Sequence, residues 1–148
     1  MSMKKILPAK PIAKAEDADC ILEIAYLMTA VDGRLGDEEL EAYREVVTSV
    51  RGKAASIADV DDLLNRFAGN VGPDEIGDRV RVLAPKVPEE LRDLTFKIAM
   101  ALTLVDLDSS RDEEELNDVL IEALGLDADR TDAIVQEVYS AFDADSTA

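Results

Sequence analysis

Hydrophobic residues recur at intervals of three and four along almost the whole chain, and no stretch alternates with the period of two that is typical of a β-strand. The pattern predicts seven helices, separated by short breaks that contain Gly, Pro or Asn. Their apolar positions span Ile21–Val31, Leu40–Val50, Ile57–Phe67, Ile76–Leu83, Leu91–Val105, Leu116–Leu124 and Ile134–Phe142. We therefore expect an all-α protein, folded as a single globular domain of about seven helices.

The first and fifth predicted helices carry similar sequences. Residues 24–32, Ile-Ala-Tyr-Leu-Met-Thr-Ala-Val-Asp, align with residues 98–106, Ile-Ala-Met-Ala-Leu-Thr-Leu-Val-Asp, and five of the nine positions are identical. The same offset along the chain pairs Glu38 with Asp112 and Glu39 with Glu113. Because both helices are apolar almost all round, we expect them at the buried centre of two pseudo-symmetric helical hairpins.

The composition excludes several classes of function. Acidic residues number 33 against 16 basic ones, which gives a formal net charge of −17 and disfavours nucleic acid as a partner. The chain has no histidine, and so it lacks the commonest general base; we expect no enzymatic activity. The single cysteine, Cys20, allows no internal disulfide, which is consistent with a reducing cytoplasm. We expect its side chain to be a small buried residue.

The N-terminal residues differ from the rest of the chain. Residues 1–15 contain four lysines, two prolines and no acid, and are predicted to form a basic, flexible tail that could fold back onto an acidic body. Residues 16–148 are predicted to form the helical domain. The longest apolar stretches, Ile24–Val31 and Ile98–Val105, are each eight residues long. Because a spanning helix needs about 20 residues, we expect no membrane span.

Acidic residues cluster where the two central helices are predicted to end. Asp32 and Asp106 fall at helix C-termini, where the helix dipole disfavours a carboxylate. In one interpretation these residues form Asx turns, and the acids that follow stabilise the next helix N-terminus. In the other they bind Ca²⁺, Mg²⁺ or Mn²⁺, which prefer carboxylate oxygens. The candidate ligands are Asp32, Asp37, Glu39, Asp106, Asp108, Asp112 and Glu113.

An EF-hand is excluded as the form of such a site. Counted from Asp106, position 6 of the loop is Arg111 and position 12 is Asn117, where an EF-hand needs Gly and Glu. Any cation site here would therefore use a different loop.

The junction motifs resemble those of the TerB-like family, which includes the tellurite-resistance protein TerB and the N-terminal domain of the membrane-anchored co-chaperone DjlA. The resemblance rests on Ala-Val-Asp-Gly at residues 30–33, on Asp-Glu-Glu-Leu at 37–40, on a weaker copy that begins at the end of the fifth predicted helix, and on Leu-Ile-Glu-Ala-Leu-Gly-Leu at 120–126. It covers residues 18–142 and implies an all-helical fold of about seven helices. It also implies a role in tellurite or stress resistance, with site residues at Asp32, Glu39, Asp106 and Glu113. One position departs from the pattern, because Leu107 follows Asp106 where the first copy has Gly33.

Two non-enzymatic functions are therefore expected as alternatives. The first is a TerB-like binding module, associated with tellurite or stress resistance, that binds a divalent cation through its acidic helix junctions. The second is an acidic protein-interaction scaffold without a metal site, either co-chaperone-like or part of a membrane-associated complex, whose acidic face binds basic protein partners.

Overall fold

A computed structural model describes residues 11–12, 14–30, 37–69, 75–105 and 111–146. Of these residues, the side chains of 29–30, 37–39, 103–105, 111–114 and 142–146 are outside the description. Seven α-helices occupy the described ranges: α1 (Ala15–Ala30), α2 (Asp37–Arg51), α3 (Ile57–Gly69), α4 (Ile76–Leu83), α5 (Glu89–Val105), α6 (Arg111–Leu124) and α7 (Ala128–Ser146). A 3₁₀ helix, η1 (Ala84–Lys86), continues α4. No strand occurs in these ranges, and the predicted all-α fold is confirmed.

Helices α1 and α5 form the centre of the molecule, as predicted. They make the most extensive helix–helix contact among the described residues, and the other helices pack around them. Their shared core contains Ile21, Leu22, Ile24, Leu27 and Met28 of α1 with Phe96, Ile98, Ala99, Ala101 and Leu102 of α5, all essentially inaccessible to solvent. Burial of each large apolar side chain contributes about 1.5–3 kcal/mol, so this pair of helices contributes a large share of the hydrophobic stabilisation.

The helix boundaries follow the internal repeat. Helix α1 begins at residue 15 and α5 at residue 89, while α2 begins at 37 and α6 at 111, so both pairs of helix starts keep the offset of the sequence repeat. The α1–α2 and α5–α6 hairpins are thus corresponding units of a pseudo-symmetric structure. The third helix of each half is arranged differently, because α3 packs mainly on α1 and α2 whereas α7 packs mainly on α5.

Two glycines end helices by adopting left-handed backbone conformations. Gly52 follows α2 with φ +79°, and its N–H donates to the carbonyl of Thr48 at 2.9 Å. Gly125 follows α6 with φ +72° and donates to Glu122 at 3.1 Å, while the next N–H, of Leu126, donates to Ile121 at 3.2 Å. The second pair of bonds is a Schellman motif, which satisfies carbonyls that the last helical turn leaves open.

The segment before α1 packs on the end of α2. The N–H of Ile12 donates to the carbonyl of Val50 at 2.9 Å, and the half-buried Ile12 side chain contacts the core. Pro11 lies against Gly52 so closely that a Cβ on Gly52 would be 2.7 Å from the Cβ of Pro11. Helix α1 begins at Ala15, next to the predicted domain boundary at residue 16; residues 1–10 of the predicted tail lie outside the described ranges.

Arg92 of α5 fixes η1 against the end of α6. Its guanidinium donates to the carbonyls of Val87 at 3.1 Å and Leu124 at 3.3 Å. A cation at these carbonyls also complements the negative end of the α6 dipole. Lys86 of η1 lines a cleft beside α1.

Candidate functional site

The predicted cation ligands fall where the structure gives no side-chain positions. Asp32, Asp106 and Asp108 lie outside the described ranges. The backbones of Asp37, Glu39, Asp112 and Glu113 belong to the first turns of α2 and α6, and their side chains are outside the description. The cation site therefore stays a prediction. Among the side chains that are described, no group of three or more Cys, Asp or Glu residues is placed to hold a metal ion.

A cleft of about 420 Å³ opens between α1, the end of α3 and η1, and we name it the α1–α3 cleft. Its most buried apolar lining residues are Phe67 of α3, 2% exposed, and Leu83 of α4, 5% exposed. Its polar lining consists of Glu16, Asp17, Asp19, Cys20, Glu23, Arg66 and Lys86. The cleft thus combines an apolar surface with charged groups of both signs, as ligand-binding clefts commonly do.

Asp19 of α1 joins three helices at the edge of this cleft. One carboxylate oxygen accepts a hydrogen bond from Nη2 of Arg51 on α2 at 3.0 Å, and the other lies 3.5 Å from Nη2 of Arg66 on α3. The guanidinium of Arg66 also lies 5.2 Å from the ring centroid of Phe67. These contacts hold the side chains of Arg66 and Phe67 in the cleft wall.

Glu23 is a charged residue on the otherwise apolar surface of α1. It is 5% exposed, and both of its carboxylate oxygens accept hydrogen bonds from Arg79 of α4, from Nε at 2.5 Å and from Nη2 at 3.1 Å. The hydrogen bonds to Glu23 raise the pKa of Arg79 above its ordinary value. This bidentate pair fixes α4 on α1 and engages both oxygens of Glu23.

We predicted a buried side chain for Cys20, but the residue is only half-buried. It lines the same cleft. The Sγ donates a hydrogen bond to the carbonyl of Leu83 at 3.3 Å. Burial, followed by the negative charge of Glu23, raises the pKa of Cys20 to about 11. The side chain is therefore a protonated thiol at neutral pH, which is a poor nucleophile and a poor metal ligand.

A second cleft, of about 260 Å³, adjoins the first along α3, and we name it the α2–α3 cleft. It is lined by Arg51, Asp59, Asp62, Leu63 and Arg66. The two clefts adjoin at Arg66, which lines both, and we name the two together the α3 groove.

Ser56 and Asp59 form a reciprocal cap at the start of α3. The N–H of Asp59 donates to Oγ of Ser56, and the N–H of Ser56 donates to Oδ2 of Asp59, both at 3.1 Å. These hydrogen bonds lower the pKa of Asp59 below its ordinary value. The carboxylate of Asp59 is thus engaged in capping, whereas the neighbouring Asp62 makes no ion pair with a described residue.

The α3 groove is not evident from the sequence. The acids of α3 have the pattern of a solvated helix face, and nothing local assigns a role to Arg51 or Arg66. One signal was available for Glu23, because a charged residue between two apolar ones interrupts an otherwise apolar helix and indicates a buried partner. No local pattern identifies that partner, Arg79, which lies 56 residues away.

Comparison with models of known protein families, with curated proteins and with solved structures finds no match to this chain.

Proposed function

We propose that the protein is a non-enzymatic binding module that recognises another protein through the α1–α3 cleft. The observation that carries this proposal is a cleft of about 420 Å³ whose floor includes Phe67 and Leu83 and whose lining also contains the carboxylates of Glu16 and Asp17. Neither carboxylate makes an ion pair with a described residue. A cleft of this kind favours an apolar side chain that carries polar groups beside it, which proteins supply readily.

The state of the other groups in the cleft favours binding over chemistry. The thiol of Cys20 is protonated and donates to a backbone carbonyl, and Glu23 is held by Arg79. Asp19 is shared between Arg51 and Arg66. These groups are committed to internal contacts, so they support the shape of the cleft and are poorly placed to act as a nucleophile or general base.

Site-specific photocrosslinking in extracts of the source cells tests this function. A benzoylphenylalanine at position 86, on the cleft wall, should form a covalent adduct with a discrete protein that mass spectrometry identifies. The same group at position 139 is the matched control, because Tyr139 is exposed on α7 and lies outside the cleft lining. Excess unlabelled chain should reduce the adduct at position 86 by competition.

The identified protein, once purified, should bind the unlabelled chain in calorimetry. Adducts that are equally abundant at positions 86 and 139, or that resist competition, would show that the cleft is not a protein-binding site. A specific adduct would establish the function without fixing the chemistry of the bound segment.

Divalent-cation binding at the helix junctions, in the manner that the TerB-like resemblance implies, is the second candidate function. The observation in its favour is the matched spacing of the two hairpins, which gives Glu39 and Glu113 corresponding backbone positions in the first turns of α2 and α6. Under this proposal the cation links the module to tellurite or stress resistance. Thermal unfolding with added cations tests this candidate, because a bound cation stabilises the folded chain.

A further inference from the structure

We infer that the α3 groove binds a basic amphipathic segment of the partner, with one bulky apolar side chain in the α1–α3 cleft. Lysine or arginine side chains of that segment would lie against Glu16, Asp17 and Asp62. The inference rests on the proposed function and specifies the chemistry of the partner.

The apolar part of the inference follows from the lining of the α1–α3 cleft. Phe67, 2% exposed, and Leu83, 5% exposed, form the floor of the cleft, where an apolar group would contact them, and both are fixed by their own buried surroundings. The volume of about 420 Å³ accommodates an aromatic or leucine-sized side chain together with the adjoining main chain. A ligand side chain that enters the cleft is itself removed from water, which gives the apolar group its binding energy.

The charge of the segment follows from which groups of the α3 groove are already paired. Asp19 and Glu23 are held by arginines, and Asp59 caps α3. The carboxylates of Glu16, Asp17 and Asp62 make no ion pair with a described residue, and among the basic lining residues the same is true of Lys86 alone. Three uncompensated carboxylates thus face one uncompensated ammonium group, so a basic segment complements the groove.

Other occupants fit the same surface less well. A second copy of this chain would bring another formal charge of −17 towards the first, and a nucleic acid would add phosphates to an acidic surface. Among the basic lining residues a carboxylate ligand would find Lys86 alone without an ion pair to a described residue, unless it displaced Asp19 from Arg51 and Arg66. Lys86 of η1 would bind an acidic or polar group at one end of the segment. That contact would determine which end of the segment lies next to η1.

Fluorescence anisotropy with synthetic peptides and the full chain tests the inference. The probe is a labelled helical peptide of roughly 12 residues, with one Phe and with Lys residues three and four positions away on the same face. One comparison peptide carries Ser in place of Phe, and another carries Glu in place of every Lys. Only the first peptide should bind saturably.

Charge-reversal variants of the protein locate the bound peptide. The double variant E16K/D17K should weaken binding about tenfold, equivalent to about 1.4 kcal/mol. Its matched control is D129K/D132K, which makes the same charge change near the start of α7. Because reversal of the first-turn acids also weakens α1 itself, D62K in the exposed part of α3 is a second site variant, with E122K on α6 as its control. Both controls should leave the dissociation constant almost unchanged.

Several results would overturn the inference. Equal losses in site and control variants would show non-specific charge attraction, and equal binding of the Ser peptide would show that no apolar side chain enters the cleft. Peptide binding that appears only after deletion of residues 2–10 would identify the chain's own basic segment as the occupant in place of a partner. If crosslinking at position 86 succeeds while the basic peptide does not bind, the proposed function survives and the partner has a different chemistry.

Discussion

The buried pair of Glu23 and Arg79 illustrates how one residue determines the local architecture. Glu23 is 5% exposed and accepts both of its hydrogen bonds from a single guanidinium on another helix. A buried carboxylate without a partner costs several kcal/mol, and so α4 must lie where Arg79 can reach it. The position of α4 in turn places Leu83 and η1 at the wall of the α1–α3 cleft.

Removal of Arg79 should therefore destabilise the protein more than removal of the whole pair. We expect R79M to lower the free energy of unfolding by about 2–4 kcal/mol, a value reduced from that of a fully buried pair because Arg79 is 29% exposed. The double variant E23Q/R79M should recover part of that loss, because no buried charge remains. Urea unfolding of the unaltered chain, E23Q, R79M and E23Q/R79M forms a double-mutant cycle that measures both effects. Equal stability of R79M and the unaltered chain would mean that the pair does not hold α4.

The reactivity of Cys20 gives a second prediction at the scale of a single residue. Burial and Glu23 raise the pKa of Cys20 from 9.0 to about 11, so the thiolate fraction at neutral pH should be about 100-fold lower than in the unfolded chain. Reaction with a disulfide reagent at pH 8 should be correspondingly slow in the folded protein and fast in denaturant. Because the folded state holds its thiol proton more tightly, this group should favour folding below about pH 9 and lose that contribution as the pH rises to about 11.

A fast native reaction would contradict the assigned environment of Cys20. The variant E23Q tests how much of the raised pKa of Cys20 is due to Glu23. Removal of that negative charge should increase the rate of thiol reaction at a given pH, because only the effect of burial remains. A variant with Cys20 replaced by serine should show no reaction, because the chain has no other cysteine.

At the scale of secondary structure, the two glycine caps make a matched pair with different surroundings. A Cβ on Gly125 would meet only Nη1 of Arg92 at 3.8 Å, an ordinary contact, so G125A should cost about 1 kcal/mol for its positive φ. A Cβ on Gly52 would be 2.7 Å from Pro11, and G52A should cost more, about 2–3 kcal/mol. Chemical denaturation measures both. Deletion of residues 1–12 should reduce the extra loss of unfolding free energy in G52A relative to G125A. If it does not, contact with Pro11 is not the cause of that extra loss.

The helices themselves were predictable because their causes are local. The spacing of apolar residues acts within a few residues, and the seven helices that it predicts are confirmed. The cap at Ser56 and the glycines after α2 and α6 act over equally short distances. The α3 groove was not predictable in this way. Asp19 lies 32 residues from Arg51, and Glu23 lies 56 residues from Arg79, so their contacts depend on how whole helices pack. No periodicity in a single helix contains that information.

At the scale of the whole molecule, the pseudo-symmetry has different consequences for the centre and for the periphery. The central helices α1 and α5 and the starts of α2 and α6 keep the offset of the sequence repeat. The third helices have diverged, since α3 borders the α3 groove and α7 packs mainly on α5. The binding surface that we propose therefore combines residues of the central helix α1 with residues of α3, where the two halves differ, whereas the predicted cation site uses the junctions where they correspond.

Because the predicted cation site and the α3 groove use different residues, cation binding can be tested independently of peptide binding. After chelator treatment, Ca²⁺, Mg²⁺ and Mn²⁺ should be titrated in thermal unfolding at a constant ionic strength of about 0.15 M, so that general screening does not vary. Saturation at about 100 times Kd would stabilise the protein by roughly 2.7 kcal/mol, or several degrees for a domain of this size. If the junctions bind a cation, the increase should be ion-selective and should be lost in D32N and in D106N but kept in the control D132N. A small rise that is equal for all three ions and all variants would leave Asp32 and Asp106 as helix-terminal residues. Neither outcome should alter peptide binding in the α3 groove, because the groove residues lie outside both junctions.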